Sequence, residues 1–313
     1  MKQSLHYLFI WLVAFLLLLT IVLLPMDTIF ETGRGGSFEG AQYDYQFANH
    51  IDNFKMLGTH IMEFQGLGPD QYGRDLLGHI IEMFGRSLKI IIPALILSFV
   101  IGIAKGVIDY RVRRNKGKVF GQFTTWGILS VPDLALIIGI QLAILIMISN
   151  GWLFRIDLFG HDTIDNVLMN ILFLSIYPTA YIANTTFQAL QSEQGMDYIR
   201  TAKSKGTPQF IILYKHMLKN GMARIFSHTN TMILYILSNL FIIEIFTEYR
   251  GAAFYFYNSL GNPSQFYVDG LFSARTIEVI GYIFFFTVLI LAANLVTAAA
   301  RSVMVPAKGG DSS

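Results

Sequence analysis

The residues that could carry out chemistry are few, and none of them forms a catalytic or metal-binding pattern. The seven histidines are scattered, and no pair has the HExxH spacing of a zinc site. The chain has no cysteine, so it offers neither a thiolate ligand nor a disulfide. Gly35-Gly36 follows Arg34 without the Lys-Ser/Thr of a phosphate-binding loop, and no G-x-x-x-x-G-K-S/T occurs elsewhere. The sequence therefore predicts that this chain is not an enzyme and binds no metal or ATP itself.

Two acidic residues lie in strongly apolar segments, where an acid at a helix centre costs about 2.5–3.5 kcal/mol on insertion scales. Asp133 follows Pro132 directly, and Glu244 lies near the end of a later apolar run. Each could have a structural role. Glu244 could reach interfacial water or pair with Arg250. Asp133 could form an ion pair or compensate for the backbone carbonyl that the proline leaves without a donor. Alternatively, each could line a pathway through a membrane. Both interpretations stay open at the level of sequence.

The elements that would position these acids are membrane helices. The chain is 53% hydrophobic and only 14% charged, whereas soluble domains carry about 25% charged residues. Six segments are long and apolar enough to span a bilayer, and they cover about residues 8–24, 88–108, 124–149, 164–187, 227–247 and 276–299. The first lacks a cleavage site after it, so we interpret it as a retained helix and not a signal peptide. Lys and Arg are concentrated in the 109–123 and 188–226 loops, which predicts that both termini are cytoplasmic.

Three prolines lie inside predicted spans: Pro93, Pro132 and Pro178. Each removes a helix hydrogen bond and tends to bend the helix. They indicate either simple bends between packed helices or bent helices that line a pathway which opens and closes.

The outer segment 25–87 is too long for a turn, and its many glycines and aromatic residues predict a small folded cap or an interfacial element. Near its end, the run Gly68-Pro69-Asp70-Gln71-Tyr72-Gly73-Arg74-Asp75 combines turn and capping residues. We expect it to cap the helix that follows, around His79 to Arg86. Docking of a substrate-binding protein is the alternative role.

The polar, basic segment 189–226 lies between two apolar segments. Two short helical stretches are predicted around Gly206-Thr207-Pro208, because Gly206 permits a turn with positive φ and Pro208 suits the first turn of a helix. After the break, α-helical spacing predicts one apolar stripe, made of Ile211, Leu213, Tyr214, Met217 and Leu218. The result is a helix–turn–helix elbow. An ordinary interfacial amphipathic helix is the alternative.

The order of residues in this segment resembles the cytoplasmic coupling loop of ABC-importer permeases, in the dipeptide/oligopeptide/nickel branch. The chain reads D-Y-I-R-T-A-K-S-K-G over residues 197–206 and then Lys215-His216 and Leu218-Lys219-Asn220, where that branch reads roughly D-Y-V-R-T-A-R-A-K-G and R-H-A-L-R-N. The turn before the second span is similar to the family's T-D-x-x-G-R-D, with Pro69 in place of Thr. Ser130-Val131-Pro132 resembles its S-I-P, and residues 241–246 resemble V-V-V-E-T-V-F. The family's P-G-x-G after the fifth span is replaced by residues 250–253.

This resemblance implies an all-α, polytopic membrane protein with the type I ABC-importer permease fold. It implies a first transmembrane helix in 1–24, an extracellular segment in 25–87, a permease core in 88–300 with the coupling loop 189–226, and a cytoplasmic tail in 301–313. The implied ATPase-coupling residues are Asp197, Tyr198, Arg200, Thr201, Ala202, Lys203, Lys205 and Gly206. The residues expected along the translocation pathway are Pro132, Asp133, Pro178 and Glu244.

The implied partners are a second homologous permease, two ATP-binding cassette subunits that hold ATP and Mg²⁺, an extracellular or periplasmic substrate-binding protein, and membrane lipid. A net charge of +2 does not indicate a nucleic-acid partner. The implied function is import of di- or oligopeptides across the cell membrane, and Asp133 could meet the amino group of such a cargo. A nickel or metal-chelate importer is the alternative within the family. A stand-alone channel or secondary transporter is the alternative of another class.

Overall fold

The structure, a computed structural model, describes residues 2–25, 28–32, 38–70, 72–112, 121–261 and 274–304. The Arg34-Gly35-Gly36 stretch, residues 113–120 of the basic loop and residues 305–313 of the tail lie outside these ranges. Within them, the regular secondary structure is helical apart from one two-stranded antiparallel sheet, which the sequence did not predict. Its strands are β1 (Thr28–Thr32) and β2 (Phe38–Tyr43).

The helices follow one another along the chain. They are α1 (Lys2–Val22), α2 (Phe47–Phe64), α3 (Leu76–Val112), α4 (Gln122–Ser130), α5 (Asp133–Ser149), α6 (Ile164–Glu193), α7 (Asp197–Ser204), α8 (Gln209–Ile211), a π-helix (Ile212–Leu218), α9 (Lys219–Ser227), α10 (Thr229–Phe246), α11 (Ala252–Ser259) and α12 (Ala274–Met304).

Five helices of the described chain are long and apolar enough to cross a membrane, and a sixth span exists if α4 and α5 are counted as one broken span. The five are α1, α3, α6, α10 and α12. This agrees with the six predicted spans in number and order. The third span differs, because α4 and α5 meet at an angle of 104° and not in one continuous helix.

Pro132 explains that difference. It lies between the two helices with an extended ψ of 133°, after Val131 with ψ 134°. A residue before proline is pushed out of the α region, so the helix ends there. Pro93 and Pro178 instead lie inside continuous helices, α3 and α6.

The outer segment contains the two strands and helix α2. Side chains of α2 bond to the end of α1: His50 Nε2 lies 3.1 Å from the Thr20 carbonyl, and Asn53 donates to the Leu23 carbonyl at 3.0 Å. Helix α3 begins at Leu76, well before the predicted start of the second span near residue 88. The membrane helix therefore continues without a break from the end of the outer segment.

The turn before α3 is built around Asp70. Its carboxylate accepts hydrogen bonds from the backbone of Tyr72 and Arg74 at 2.8 and 2.9 Å and from the Arg74 side chain at 2.9 Å. Asp75 then caps α3 by accepting from the Gly78 amide at 2.9 Å. The predicted capping role of this turn is confirmed.

The chain divides into two compact units, Met1–Arg86 with Gly251–Leu291, and Ser87–Arg250 with Ala292–Ser313. In the first unit, aromatic rings join α1 to α12: Phe284 lies edge-on to Trp11 and Phe15, with centroids 6.1 and 5.5 Å apart. Such edge-to-face pairs are favourable beyond the area that they bury.

In the second unit, α3 and α6 approach closely at two glycines spaced as G-x-x-x-G. A Cβ at Gly102 would lie 2.7 Å from Ile182 Cβ, and one at Gly106 would lie 2.5 Å from the Ala183 carbonyl oxygen. Small residues at this spacing let membrane helices pack backbone to backbone. This contact fixes α6, and α6 carries the elements described next.

Candidate coupling site and pathway residues

The coupling segment, residues 197–227, is held to the membrane helices by one buried face. Ile199 of α7 has no exposed surface. Ala202 packs against the same cluster. The buried cluster around Ile199 consists of Val107 at the end of α3, Leu190 at the end of α6, and Ile212, Leu213 and Met217 of the π-helix. The short helix α7 is therefore tied to two membrane helices at once.

Gly206 ends α7 as the sequence predicted. Its φ is +71°, in the left-handed region that favours glycine. The Gly206 amide donates to the Lys203 carbonyl at 3.0 Å, and the Thr207 amide donates to the Ala202 carbonyl at 3.1 Å. These two bonds form a Schellman motif, which satisfies the last carbonyls of the helix and reverses the chain.

The predicted apolar stripe after the turn is partly wrong. Leu213 and Met217 are buried, as is Ile212, which lay outside the predicted stripe, whereas Ile211 and Tyr214 are exposed. The reason is the π-helix over Ile212–Leu218, whose i→i+5 bonds shift the buried face away from α-helical spacing. Periodicity analysis at 3.6 residues per turn could not anticipate that shift.

The other face of the segment combines exposed cations with exposed apolar side chains. Arg200, Lys203 and Lys205 are exposed on or just after α7. Arg200 is 76% exposed and lies 3.5 Å from Asp197, itself 95% exposed. Phe210 is 64% exposed, and its ring lies 4.5 Å from that of Tyr214.

Two polar side chains add further ties to the membrane helices. The Tyr198 hydroxyl donates to Glu193 at the end of α6 and also bonds to Asn220 of α9. Burial and then the Glu193 hydrogen bond raise the pKa of Tyr198, so its phenol remains a donor at neutral pH. On α9, Arg224 donates to Ser192 at 3.0 Å.

A cleft of about 290 Å³ opens beside this segment. It is lined by Tyr110 and Arg111 of α3, Gln194, Lys203 of α7 and the Gln209–Leu213 region. Two of its lining side chains are cations, and Phe210 adds an aromatic ring. The exposed face therefore has a recess that could receive an acidic or aromatic side chain of a partner.

Seven of the eight predicted coupling residues are exposed, and the eighth is half-buried. Asp197, Tyr198, Arg200, Thr201, Lys203, Lys205 and Gly206 are exposed, and Ala202 is half-buried against the Ile199 cluster. The sequence analysis missed Ile199 itself. Its signal was an apolar residue three positions before Ala202, on the same helix face.

The four predicted pathway residues have different surroundings. Pro132 and Asp133 lie at the break between α4 and α5, where Pro132 is exposed and Asp133 half-buried. Pro178 is buried inside α6. Glu244 of α10 has no exposed surface and accepts a hydrogen bond from Ser87 of α3 at 2.5 Å. The expectation that Glu244 reaches interfacial water is therefore wrong, because a helix contact encloses its carboxylate.

Lys105 of α3 joins a buried polar group. It bonds to Asp109, to the Gly121 carbonyl at 3.2 Å and to Thr125 at 3.2 Å, while Thr125 donates to Asp109 at 2.7 Å. Asp109 is 1% exposed. The opposite charges at i and i+4 were the signal for this pair. It fixes the start of α4 to α3.

A family described as the binding-protein-dependent transport system inner membrane component matches residues 94–308. The chain belongs to this family. The match contains the C-terminal half of α3 and every later helix from α4 to α12, including the coupling segment. The chain is thus a multi-pass component of the cell membrane and part of a transport system.

Several curated transport proteins are similar to this family member. A dipeptide transport system permease protein of Bacillus subtilis is 25% identical over 235 residues, 72% of this chain and 73% of that protein. An oligopeptide transport system permease protein of the same organism is 22% identical, covering 66% and 67% of the two chains. A glutathione transport system permease protein of Shigella boydii is 23% identical, covering 55% and 54%.

Proposed function

We propose that this chain forms half of the translocation pathway of an ATP-driven peptide importer and receives the mechanical input through its coupling segment. Membership in the binding-protein-dependent family supports the importer. The similar permeases named for dipeptides, oligopeptides and glutathione support peptides as the cargo.

The observation that carries the proposal is the two-faced coupling segment. One face is buried against the ends of α3 and α6 through Ile199, and the other presents cations and aromatic side chains. A force applied to the exposed face must therefore be passed to the membrane helices, because the buried face cannot move independently of them. An isolated interfacial helix would not need such an anchor.

The partner that fits the exposed face is a cytoplasmic subunit with an apolar groove and an acidic rim. Phe210 and Tyr214 would enter the groove, in the manner of a helix that docks with one apolar face. Arg200, Lys203 and Lys205 would pair with the rim, which gives orientation and specificity. In this proposal the partner is an ATP-binding cassette subunit, which holds ATP and Mg²⁺.

The complete importer would contain this chain, a second homologous permease, two ATP-binding cassette subunits and a substrate-binding protein on the outer side. Closure of the ATPase pair would draw the two coupling segments together and turn the pathway outward to receive cargo. Within this chain, we place the pathway at the α4–α5 break with Pro132 and Asp133. Pro178 would bend α6 beside it, and Glu244 would hold α10 to α3.

The proposal is tested by purifying the tagged chain from native membranes in mild detergent and identifying its partners by mass spectrometry. The variant Arg200→Glu/Lys203→Glu/Lys205→Glu reverses the exposed charges, and we expect it to insert normally but to lose the ATPase. The matched control is Arg155→Glu, which reverses a side chain that is 90% exposed outside the coupling segment and should retain every partner.

Transport is then measured in proteoliposomes as ATP-driven accumulation of a labelled dipeptide. Accumulation by the intact complex and its loss in the charge-reversed variant would support the proposal. Recovery of the chain alone, with peptide flux in the absence of ATP, would overturn it in favour of a channel or secondary transporter.

A further inference from the structure

The break between α4 and α5 interrupts the helical hydrogen bonds within a span. Val131 is 41% exposed, and the adjoining Pro132 is also exposed. Non-helical backbone at membrane depth is tolerated only where it is buried in protein or lines a water-filled cavity. A water-filled cavity beside the break would satisfy this requirement, and it would also hydrate the half-buried Asp133 carboxylate.

Three tyrosines lie next to this break on the neighbouring helices. Tyr177 and Tyr181 are one turn apart on α6, and Tyr235 of α10 packs edge-on between them. The ring centroids of Tyr235 lie 5.1 Å from Tyr177 and 5.4 Å from Tyr181. The Tyr177 and Tyr235 hydroxyl groups are hydrogen-bonded. Helix α5, which begins at Asp133, contacts α10, which carries Tyr235, and the Asp133 carboxylate is near enough for its charge to act on Tyr177.

The tyrosines belong to polar stripes on both helices. On α6 the stripe continues with Asn184, three residues after Tyr181. The Asn184 Oδ1 atom is buried and has no hydrogen-bond partner among the described residues. On α10 it consists of Thr231, Tyr235 and Ser238, spaced by four and three residues, with Ser238 exposed. Residues at this spacing share one face of a helix. Two polar faces thus meet within the apolar spans.

These polar stripes end at the coupling segment. The Tyr181 hydroxyl lies 3.0 Å from Nδ1 of His228, the single residue that separates α9 from α10. Tyr181 also bonds to Thr231 in the first turn of α10. A displacement of α9 would therefore reach the tyrosine cluster through one hydrogen-bonded residue.

From this arrangement, we infer that Asp133, Tyr177, Tyr181 and Tyr235 form a cargo subsite for the positively charged amino terminus of a peptide. The inference rests on the proposed peptide-import function. The carboxylate would pair with the ammonium group, and the faces of the tyrosine rings would attract the same cation. The stripe residues Ser238 and Asn184 would bond to the peptide's amide groups.

The absence of native cysteine makes a single-cysteine test possible. Ser238→Cys and Tyr235→Cys are each made in the intact complex, purified in lipid nanodiscs, and labelled with a charged, water-soluble methanethiosulfonate reagent. Ser238→Cys is nearly isosteric, so it keeps the test valid if the larger substitution impairs folding. The matched control is Leu168→Cys, at an exposed apolar position of α6 about two and a half turns from Tyr177 and so on the opposite face.

We expect both stripe cysteines to be labelled at least about tenfold faster than the Leu168 control, and a dipeptide to slow their labelling. In the Asp133→Asn background, the dipeptide concentration that gives half protection should rise about tenfold, as for the loss of one charged contact. Labelling no faster than that of the Leu168 control would overturn the water-filled subsite.

Fast labelling that no dipeptide concentration slows would overturn the cargo role. The proposed function would still stand in that case, provided that the wild-type complex accumulates dipeptide in proteoliposomes. A wild-type complex that accumulates none would refute the proposed function, and the cargo subsite with it.

Discussion

The anchoring of the coupling segment by Ile199 gives a quantitative prediction. Ile199→Ala removes three carbon atoms from a side chain with no exposed surface. Each buried carbon group contributes about 0.8 kcal/mol to stability through the hydrophobic effect, so the loss of three costs roughly 2.4 kcal/mol. The cavity between α7, α3 and α6 adds to this, so the expected total lies within the range of about 2–5 kcal/mol for such truncations.

The loss should appear as local opening of α7, because Ile199 is its fully buried anchor. A loss of 2–3 kcal/mol corresponds to amide hydrogen exchange about 30- to 150-fold faster across Asp197–Ser204. The measurement is hydrogen–deuterium exchange of the purified complex with mass spectrometry. In proteoliposomes, the same variant should transport less dipeptide for each ATP hydrolysed. The ATP-binding cassette subunits would then move α7 without moving the membrane helices as fully, because α7 is packed less firmly against them.

Two control variants separate anchoring from docking. Ile199→Val should cost only about 0.5–1.5 kcal/mol. Arg200→Ala removes a side chain that is 76% exposed, and exposed ion pairs contribute at most about 1 kcal/mol, so α7 exchange should hardly change. The anchoring argument is refuted if Ile199→Ala leaves the exchange of α7 at its wild-type rate.

Three further predictions concern glycines and the outer turn. Gly106→Ala should destabilise the α3–α6 contact by about 1–3 kcal/mol, because the new Cβ would lie 2.5 Å from a backbone oxygen. This loss should lower the unfolding temperature. In the control Gly127→Ala, the new Cβ meets no atom within 4 Å, so the unfolding temperature should not fall. Gly206→Ala also meets no atom, but at φ +71° it should cost about 1–2 kcal/mol, and Gly206→Asn should cost less in the same thermal assay. Burial of the Asp70 carboxylate opposes its ionisation, but the hydrogen bonds from Arg74 and Tyr72 outweigh this effect and hold the pKa of Asp70 below the ordinary 3.8. The ionised carboxylate therefore stabilises the turn fully above pH 3.8, and this stabilisation is lost as the pH falls through the lowered pKa. The protection of the turn's amides, measured relative to their intrinsic exchange rate at each pH, should therefore stay constant from pH 7 to 5. A loss of protection over that interval would contradict the assignment.

The sequence by itself determined the class of this protein. Apolar runs of bilayer length fix the number and order of the spans, because each must satisfy its backbone within the segment. The ordered polar residues 197–206 carried the family resemblance, and the glycine before Thr207-Pro208 predicted the turn, which has a positive φ at Gly206. These features depend on neighbouring residues along the chain, so a reading of the sequence can reach them.

The tertiary structure alone decided which faces are buried and which side chains meet. The π-helix moved the buried face to Ile212, since its bonding depends on packing and not on local periodicity. Glu244 became a helix-to-helix contact through Ser87, which is 157 positions away in the chain. The tyrosine cluster likewise joins α6 and α10, and no spacing within one helix can reveal a contact between two. Long-range contacts between membrane helices depend on how the helices pack, and only the folded chain supplies that information.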